Sequence, residues 1–411
     1  MMRYDYLIIG GGIAGVTAAE TIREEDPKAA IGILSAEPHL LYSRVLLPSY
    51  LKKRIRREQV FLRTEEDFVG RRIDFLRDDA ATAVDPRRRE VATAGGGTFG
   101  YKKLLISAGG RANHWPQKFG GDFVYRLQTL NDADRLASSL GIIRKPLVVG
   151  SSFIALEFIE IFLLNAITPR VLTQEEHFFG RMLDEEGGAL LAENFERHGV
   201  RLFFGDQITA VEKRDRNAFA VSAKRSGELS ADLLAIGIGI ERNVGFLQGS
   251  GIELGEKGGV RANEFLETNI PGVFAAGDIA EYYDVVSGRE RLVGNWTNAV
   301  LQGKQAGLNM TGRRTPFINV PSYAITNLGF QITAVGECDN GLEAVSRIDA
   351  GNRSYSRFFI RDGTLAGAFL INSFKDKPHL SLLIEKQPPI ARYLRQLTDP
   401  WFDIHTITAV K

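Results

Sequence analysis

Two strand–turn–helix–strand segments, about 140 residues apart, constrain the fold of this 411-residue chain more than any other feature. In each segment a short apolar run is followed directly by glycine and then by an apolar or alanine-rich helical stretch. The predicted elements are strands over residues 4–9, 30–34, 146–149 and 170–173, and helices over residues 13–23 and 154–164. A strand, a crossover helix and a second strand form a βαβ unit. The duplication therefore predicts an α/β protein with two Rossmann-like nucleotide-binding domains.

The first turn has the G-x-G-x-x-G spacing of a dinucleotide-binding loop. Gly10 permits a tight turn, Gly12 lets the backbone approach a pyrophosphate, and Gly15 lets the helix pack closely on the strand. The anion would lie at the helix N-terminus, where backbone N–H groups are unpaired. Glu37, which follows the second strand, is the candidate acceptor for ribose hydroxyls. These residues predict a nucleotide site without distinguishing FAD from NAD.

Composition excludes several classes of partner. Lysine and arginine total 51 and aspartate and glutamate total 50, so no net field would recruit nucleic acid or a membrane. No apolar run is long enough for a membrane helix, and the strand pattern beginning at Tyr4 leaves no room for a signal peptide. The single cysteine, Cys338, excludes a disulfide framework, and the six histidines lack metal-ligand spacing. We therefore expect a cytoplasmic protein with no metal site.

Three later segments resemble a known family. Residues 268–278, TNIPGVFAAGD, resemble the second FAD fingerprint of the pyridine nucleotide-disulfide oxidoreductase superfamily. Residues 101–110 and 231–239 resemble the crossovers between its nucleotide-binding domains, and the similarity covers about residues 4–310. The resemblance implies a glutathione-reductase-like fold and FAD as the cofactor, with Asp278 holding the ribityl chain.

Two further segments resemble the rubredoxin, ferredoxin and nitrite reductases of that superfamily, the branch without a redox disulfide. One is residues 42–49, YSRVLLPS, in which Ser49 replaces the lysine of several ferredoxin reductases, so the match is nearer to the nitrite-reductase-like pattern. The other, residues 295–303, implies a helix starting near Thr297 whose N-terminus points at the flavin, where negative charge grows on reduction. No cysteine lies in residues 41–50, so the disulfide branch is excluded.

The resemblance also implies site residues. Those expected to bind a cofactor are Gly10, Gly12, Ile13, Ala14, Gly15, Glu37, Arg44, Ala81, Ala108, Gly109, Gly277, Asp278, Trp296, Thr297, Gly150, Ser152 and Gly239. Those expected to act in catalysis are Phe153, which occupies the position of an aromatic gate to the nicotinamide pocket, Glu157, an acid near the flavin ring, and Trp296. For Phe153 and Trp296 the alternative is core packing.

The second glycine loop departs from the pattern. Ser152 stands at the second glycine position and Ala155 at the third, so the serine is expected to crowd a pyrophosphate and weaken nicotinamide binding. Thr173 stands where a ribose-binding acid is expected, and the nearest acid is Glu175. Because no arginine is placed to meet a 2′-phosphate, NADH is favoured over NADPH.

The predicted domains are an FAD-binding domain over 1–113 and 243–316, an NAD(P)H-binding-like domain over 114–242, and a small C-terminal α+β interface domain over 317–411. The resemblance implies an FAD-dependent oxidoreductase that passes electrons from NAD(P)H to a separate acceptor, such as a small iron–sulfur protein or rubredoxin. The alternatives are a flavin subunit of a larger redox complex, reduced by a partner, and a non-catalytic FAD-binding redox sensor.

Two other features have alternative interpretations. The basic run 52–57 is either a solvated face or a docking patch for an acidic electron carrier. Cys338 is interpreted as a small packed residue and not as a redox centre. Near it, the sequence predicts a hairpin turn at residues 361–363 and a closing helix over residues 380–384.

Overall fold

The computed structural model describes residues 1–215 and 218–409. Its strands are β1 (Met2–Ile9), β2 (Ile31–Leu34), β3 (Ile73–Leu76), β4 (Ala81–Asp85), β5 (Glu90–Thr93), β6 (Thr98–Ile106), β7 (Gly110–Ala112), β8 (Val124–Tyr125), β9 (Pro146–Val149), β10 (Arg170–Leu172), β11 (Arg201–Phe203), β12 (Ile208–Asp215), β13 (Ala218–Ala223), β14 (Gly227–Ala231), β15 (Leu233–Ile236), β16 (Ile240–Arg242), β17 (Val260–Ala262), β18 (Val273–Ala275), β19 (Ala280–Asp284), β20 (Arg289–Leu292), β21 (Ser322–Asn327), β22 (Phe330–Gly336), β23 (Glu343–Asp349), β24 (Ser354–Arg361) and β25 (Thr364–Ile371).

The helices follow the same chain order. They are α1 (Ile13–Glu25), α2 (Leu47–Leu51), α3 (Glu65–Arg71), α4 (Leu130–Ser139), α5 (Phe153–Leu164), α6 (Glu185–Arg197), α7 (Trp296–Thr311), α8 (Lys377–Lys386) and α9 (Leu394–Leu397). The chain divides into two compact units. The first comprises Met1–Ser43, Arg57–Arg111 and Ile240–Pro321, and the second comprises Arg44–Arg56, Ala112–Gly239 and Ser322–Lys411.

The first unit is built on a parallel sheet in the order β3-β2-β1-β6, with β18 also parallel to β6. The strands β4 and β5 form a hairpin, and β5 pairs antiparallel with the N-terminal part of β6. Ile9 lies opposite both Leu34 and Ile106, so β1, β2 and β6 end at the same edge of the sheet. The apolar run of β1 forms this sheet because its side chains are buried on both faces by helices and neighbouring segments. A small sheet, β17-β19-β20, completes the unit.

The second unit contains another parallel sheet, in the order β11-β10-β9-β15-β8, followed along the chain by the antiparallel sheet β12-β13-β14. Its C-terminal part has an antiparallel sheet in the order β21-β22-β25-β24-β23, and α8 packs on β22 and β25. The predicted fold class is therefore confirmed, with two Rossmann-like parallel sheets and a C-terminal α+β part. The exact domain boundaries stay a prediction.

Most predicted elements are present within a few residues of their expected ends. Helix α6 begins at Glu185, because the side chain of Asp184 accepts a hydrogen bond from Gly187 N at 3.0 Å and caps it. The expected turn at residues 361–363 joins β24 to β25, with Asp362 and Gly363 at φ of 50° and 73°. The sheet β12-β13-β14 was not predicted, because its strands alternate with short turns and carry no motif.

Candidate functional site

Of the three motif glycines in the first glycine loop, Gly12 alone adjoins open space, and this is where a pyrophosphate would lie. Gly10 has φ of +116°, and a Cβ there would overlap the carbonyl group of Ser107. A Cβ on Gly15 would overlap the carbonyl oxygen of Gly10. Gly12 precedes the first residue of α1, and a Cβ on it would meet nothing within 4 Å. The loop therefore fits a dinucleotide, since packing fixes Gly10 and Gly15 while Gly12 faces a free helix N-terminus.

Three other predicted residues lie at the same sheet edge. The strands β1, β6 and β18 end in register, so Gly10, Gly109 and Gly277 follow at one edge, with Ala108 next to Gly109. A Cβ on Gly277, which has φ of +81°, would lie 3.0 Å from the Cβ of Ala14 at the start of α1. Both segments that resemble FAD fingerprints therefore meet within the first unit.

Asp278 interacts with Arg242, a residue that no sequence motif indicated. Burial lowers the pKa of Arg242, while the negative charges of Asp278 and Glu281 act to raise it. Arg242 is half-buried at the end of β16. The Asp278 carboxylate therefore interacts electrostatically with the Arg242 guanidinium. In the sequence, Arg242 is marked only by its place just after the crossover segment 231–239, and no known motif spacing assigns a role to that place.

Helix α7 begins at Trp296, one residue before the predicted start. The side chain of Asn295 caps the helix by accepting a hydrogen bond from Asn298 N at 2.8 Å. Trp296 is half-buried and Thr297 is exposed, so Trp296 is not a core aromatic. A Cβ on Gly303 would overlap the carbonyl group of Ala14, which shows how closely α7 packs on α1.

Glu37 and Ala81 occupy different parts of the first unit. Glu37 follows β2, and the hydroxyl of Tyr42 donates a hydrogen bond to its Oε2 at 2.5 Å. Ala81 begins β4 and pairs with Thr93 of β5, three strands from β1 in the sheet order. Glu37 is thus near the glycine loop along the sheet edge, as the spacing predicts, while a role for Ala81 stays a prediction.

The second glycine loop has the backbone of the first. Gly150 has φ of +122°, and a Cβ there would overlap the carbonyl oxygen of Gly237. Ser152 precedes α5 with φ −92° and ψ 179°, compared with φ −79° and ψ −176° for Gly12 before α1. This extended conformation is open to any residue, so the position does not require glycine for its backbone. The Ser152 hydroxyl donates a hydrogen bond to the carbonyl oxygen of Gly237 at 3.0 Å and is directed toward that segment.

Phe153 belongs to an aromatic cluster. Its ring centroid lies 4.6 Å from that of Phe179, 4.4 Å from that of Tyr323 and 6.4 Å from that of Phe369. Phe153 is itself only half-buried, at the first position of α5. Both interpretations made from the sequence describe part of this arrangement, because the ring packs on its neighbours and also keeps an accessible face.

Glu157 lies in a buried charge cluster that also contains Glu160 and Lys52. The side chain of Lys52 is 3% exposed, and its Nζ contacts Glu157 Oε2 at 2.5 Å and also contacts Glu160 Oε2. Glu160 also accepts hydrogen bonds from Arg54 at 3.2 Å and from the backbone N–H of Leu328 at 3.3 Å. One ammonium group thus links two carboxylates on successive turns of α5.

The two carboxylates are not equivalent. Glu160 meets charged and neutral donors from separate segments, whereas the donor to Glu157 is Lys52. Burial raises the pKa of Glu157 although Lys52 acts to lower it. Burial, and then the charge of Glu157, also raise the pKa of Tyr323. Burial thus makes Glu157 a carboxyl group that holds a proton more readily than an exposed glutamate does.

Lys52 is the exception in the basic run 52–57. A solvated face or a docking patch requires exposed side chains, and Lys53, Arg54 and Arg56 are exposed, whereas Lys52 is buried. Ser49 stands at the expected lysine position, and Lys52 lies three residues later, directly after α2. One signal could have revealed it: Glu157 and Glu160 share one face of an otherwise apolar helix, and buried acids need a buried cation.

The remaining predicted residues lie in the second unit. A guanidinium N–H of Arg44 donates a hydrogen bond to the carbonyl oxygen of Gln128 at 2.5 Å. Gly239 has φ of +91° and accepts a hydrogen bond from Asn113 N at 3.0 Å. The roles expected for Arg44 and Gly239 stay predictions.

The described part of the chain shows neither a cluster of metal ligands nor a helix that could span a membrane. Within residues 1–215 and 218–409, no group of three or more His, Cys, Asp or Glu side chains could hold a metal ion. None of the helices in the same part of the chain is long and apolar enough to cross a membrane.

Two family models match the chain. The model described as pyridine nucleotide-disulphide oxidoreductase matches residues 4–303, and that described as rubredoxin NAD+ reductase C-terminal domain matches residues 321–388. The crystal structure of a ferredoxin reductase from Rhodopseudomonas palustris aligns with a TM-score of 0.88 at 23% identity, covering 98% of this chain and 99% of that one. This likeness concerns the fold.

Curated proteins are similar over most of the chain. Apoptosis-inducing factor 3 of Homo sapiens is 31% identical over 358 residues, which are 86% of this chain and 58% of that protein. The chain thus spans less than two thirds of that relative's length. The ferredoxin–NAD(+) reductase component of the 3-phenylpropionate/cinnamic acid dioxygenase of Photorhabdus laumondii is 26% identical over 386 residues, covering 93% of this chain and 97% of that protein.

Proposed function

Because the chain belongs to the pyridine nucleotide-disulphide oxidoreductase family, we propose that it is an FAD-dependent enzyme that takes electrons from NADH and passes them to a separate carrier. The observation that supports this most is the presence of two glycine loops with the same backbone, each before a helix at the end of a parallel strand. An enzyme that transfers electrons between two dinucleotides needs one such loop for each.

For FAD, the proposed binding residues are those of the first unit. Gly12 and the N-terminus of α1 would meet the pyrophosphate, Glu37 a ribose, and Asp278 the ribityl chain. The N-terminus of α7, at Trp296 and Thr297, would place partial positive charge beside the flavin ring. When bound, FAD supplies the chemistry, because it accepts a hydride and releases electrons one at a time.

For NADH, the proposed residues are those of the second unit. Gly150 and Ser152 would meet the pyrophosphate, and Gly239 would lie beside the dinucleotide. Phe153 would cover the nicotinamide pocket until the dinucleotide enters, because its ring packs on Tyr323 and yet stays partly exposed. Glu157, held by Lys52, would supply a carboxylate that can bind or release a proton.

The acceptor is proposed to be a separate molecule, such as a small iron–sulfur protein or rubredoxin. The chain has one cysteine and so lacks both a redox disulfide and the ligands for an iron–sulfur cluster. Ferredoxin reductase activity is named for a relative that is covered almost to its full length. Because NADH is a cytoplasmic reductant, we also propose a cytoplasmic location.

The test is anaerobic mixing of the purified yellow protein with NADH, followed by the visible absorbance of the flavin. NADH should bleach the flavin, NADPH should do so more slowly, and added ferredoxin or rubredoxin should restore the colour. Bleaching by dithionite but not by NADH would contradict the proposed donor and favour a flavin subunit that a partner reduces. Protein without FAD after reconstitution would contradict the whole proposal.

A further inference from the structure

The adenosine-ribose position of the second Rossmann sheet lacks the expected acid. In this fold a carboxylate near the end of the second strand accepts hydrogen bonds from the ribose hydroxyls. Here the position is taken by Thr173, which is buried at 4% exposure after β10. Its backbone N–H donates to Phe203 O at 3.0 Å, and its hydroxyl accepts a hydrogen bond from Glu175 N at 3.2 Å. Thr173 is therefore committed to the sheet and the following turn.

The chain after Thr173 folds back toward the glycine loop. Phe179 N donates a hydrogen bond to the carbonyl oxygen of Ser151 at 3.2 Å, which fixes this loop against the second glycine loop. Phe179 has φ of +53°, an unusual conformation for a bulky residue, and it is buried against Phe153. Gly205 N also donates to the carbonyl oxygen of Glu175 at 2.9 Å. The loop is thus fixed at both of its ends.

The carboxylate of Glu175 lies inside this folded loop. Its Oε2 occupies the position that a Cβ on Gly180 would take, and Gly180 is next to the fixed Phe179. The side chain is therefore turned back toward the segment that contacts the glycine loop. Glu175 is half-buried, and among residues 1–215 and 218–409 no hydrogen bond or ion pair reaches its carboxylate. This carboxylate is therefore available to accept hydrogen bonds from the donor groups of a bound ligand.

The neighbouring acid differs on each point. The side chain of Glu176 is 77% exposed, and it contacts the guanidinium of Arg225 at 3.8 Å. Two adjacent glutamates thus have the same charge but different surroundings, and only Glu175 combines burial with a lack of partners.

We propose that Glu175 selects the electron donor by accepting hydrogen bonds from the adenosine-ribose hydroxyls of NADH and repelling the 2′-phosphate of NADPH. This inference rests on the proposed function, because it assumes that the second glycine loop binds a nicotinamide dinucleotide. Two hydroxyl donors to one carboxylate would satisfy it, whereas a phosphate would place two negative charges in contact.

The experiment compares the dissociation constants of NAD+ and NADP+ for the oxidised FAD-loaded protein by titration calorimetry. Glu175→Gln should weaken NAD+ binding about tenfold, since hydrogen bonds to a charged group are lost, and should leave NADP+ binding unchanged or stronger. The matched control Glu176→Gln should change neither constant by more than about twofold. An unchanged NAD+/NADP+ preference in Glu175→Gln, or the same change in Glu176→Gln, would overturn the inference.

A second variant tests the position of the carboxylate without removing it. Gly180→Ala would displace the flexible end of Glu175, because the new methyl group needs the space that Oε2 occupies. It should also lower the preference for NAD+, and it should have no further effect in a Glu175→Gln background. Additive effects would overturn the inference. Wild-type protein that binds neither dinucleotide would overturn the proposed donor as well, whereas normal NAD+ binding by Glu175→Gln would overturn only the role of Glu175.

Discussion

Glu157 and Glu160 lie one helical turn apart on α5 and share the ammonium group of Lys52, yet they make different numbers of other contacts. Two buried carboxylates and one buried ammonium carry a net negative charge. Arg54 offsets this charge only in part, because its half-exposed side chain contacts Glu160 alone of the two carboxylates. Protonation of one carboxylate would relieve this imbalance. Burial raises the pKa of Glu157, so we expect the proton on Glu157.

The first prediction concerns the pH dependence of this cluster. Because the pKa of Glu157 is raised in the folded state, its stabilising contribution is complete below its unfolded pKa of 4.5 and is lost as the pH rises through its folded pKa. Glu157→Gln cannot ionise, so it keeps that contribution. The free energy of unfolding of the variant, relative to wild type, should therefore increase from pH 5 to pH 8, by about 1 kcal/mol.

Urea unfolding at several pH values measures this difference, with Glu160→Gln as the matched control. Glu160→Gln removes a carboxylate that has several donors, so it should destabilise the fold at pH 8 by roughly 3 kcal/mol. Equal effects of the two substitutions, or a Glu157→Gln variant that loses stability as the pH rises, would contradict the assignment of the proton to Glu157.

The second prediction concerns Ser152, where the structure changes the expectation drawn from the sequence. The hydroxyl is bonded to the carbonyl oxygen of Gly237 and the backbone is extended, so the serine need not crowd a pyrophosphate. Ser152→Gly should change the dissociation constant of NAD+ by no more than about twofold, since a lost hydrogen bond and added space have opposite effects. Ser152→Val should weaken it about tenfold, because a branched side chain cannot turn to that carbonyl group. Marked tightening by Ser152→Gly would restore the expectation of crowding.

Single residues show where sequence patterns were sufficient. Gly10, Gly12 and Gly15 were predicted from their spacing, because each glycine meets a separate steric requirement of one local turn. Lys52 was not predicted, because its partners are more than 100 residues away in the sequence. The lack of a partner for the Glu175 carboxylate could not be predicted from the sequence either, since the surroundings of this side chain depend on how the loop folds.

At the scale of elements, the first glycine loop allows a prediction that separates folding from cofactor binding. A side chain on Gly12 meets no protein atom, so Gly12→Val should fold normally but fail to retain FAD. A side chain on Gly15 would overlap the carbonyl oxygen of Gly10, so Gly15→Val should instead prevent packing of α1. Far-UV circular dichroism and flavin absorbance of the two purified variants distinguish these outcomes. Full FAD occupancy in Gly12→Val would contradict the assignment of this loop.

The helices and strands were largely predictable where the sequence has a clear apolar run with residues that mark its ends. The helix α5 was predicted to within one residue, because twelve successive residues contain no glycine or proline and lie between two strand patterns. The strands of the sheet β12-β13-β14 were missed, because they are short and half-exposed, and what stabilises them is pairing with each other. Long-range pairing of this kind leaves little trace in a local pattern.

The whole molecule has one cysteine, and this limits how many electrons it can store. Cys338 is half-buried in the C-terminal part, where its Sγ lies 3.3 Å from the carbonyl oxygen of Ala368. A packed thiol of this kind has no second cysteine with which to form a disulfide. Under the proposed function, FAD would then be the only redox group on the chain.

Anaerobic titration of the FAD-loaded protein with NADH tests this limit. Full bleaching should need about one NADH per FAD, since the flavin takes up two electrons and a disulfide would require two more. Cys338→Ser should give the same stoichiometry and a flavin reduction rate within about twofold of wild type, with no thiolate–flavin charge-transfer band in either protein. A requirement for about 1.5 NADH per FAD, abolished by Cys338→Ser, would show that the thiol takes part through a disulfide between two chains, since one such disulfide takes up two electrons for every two FAD. A decrease of more than tenfold in the flavin reduction rate of Cys338→Ser, without unfolding, would likewise show that Cys338 is more than a packed residue. The thiol would then be a second redox group between NADH and the carrier.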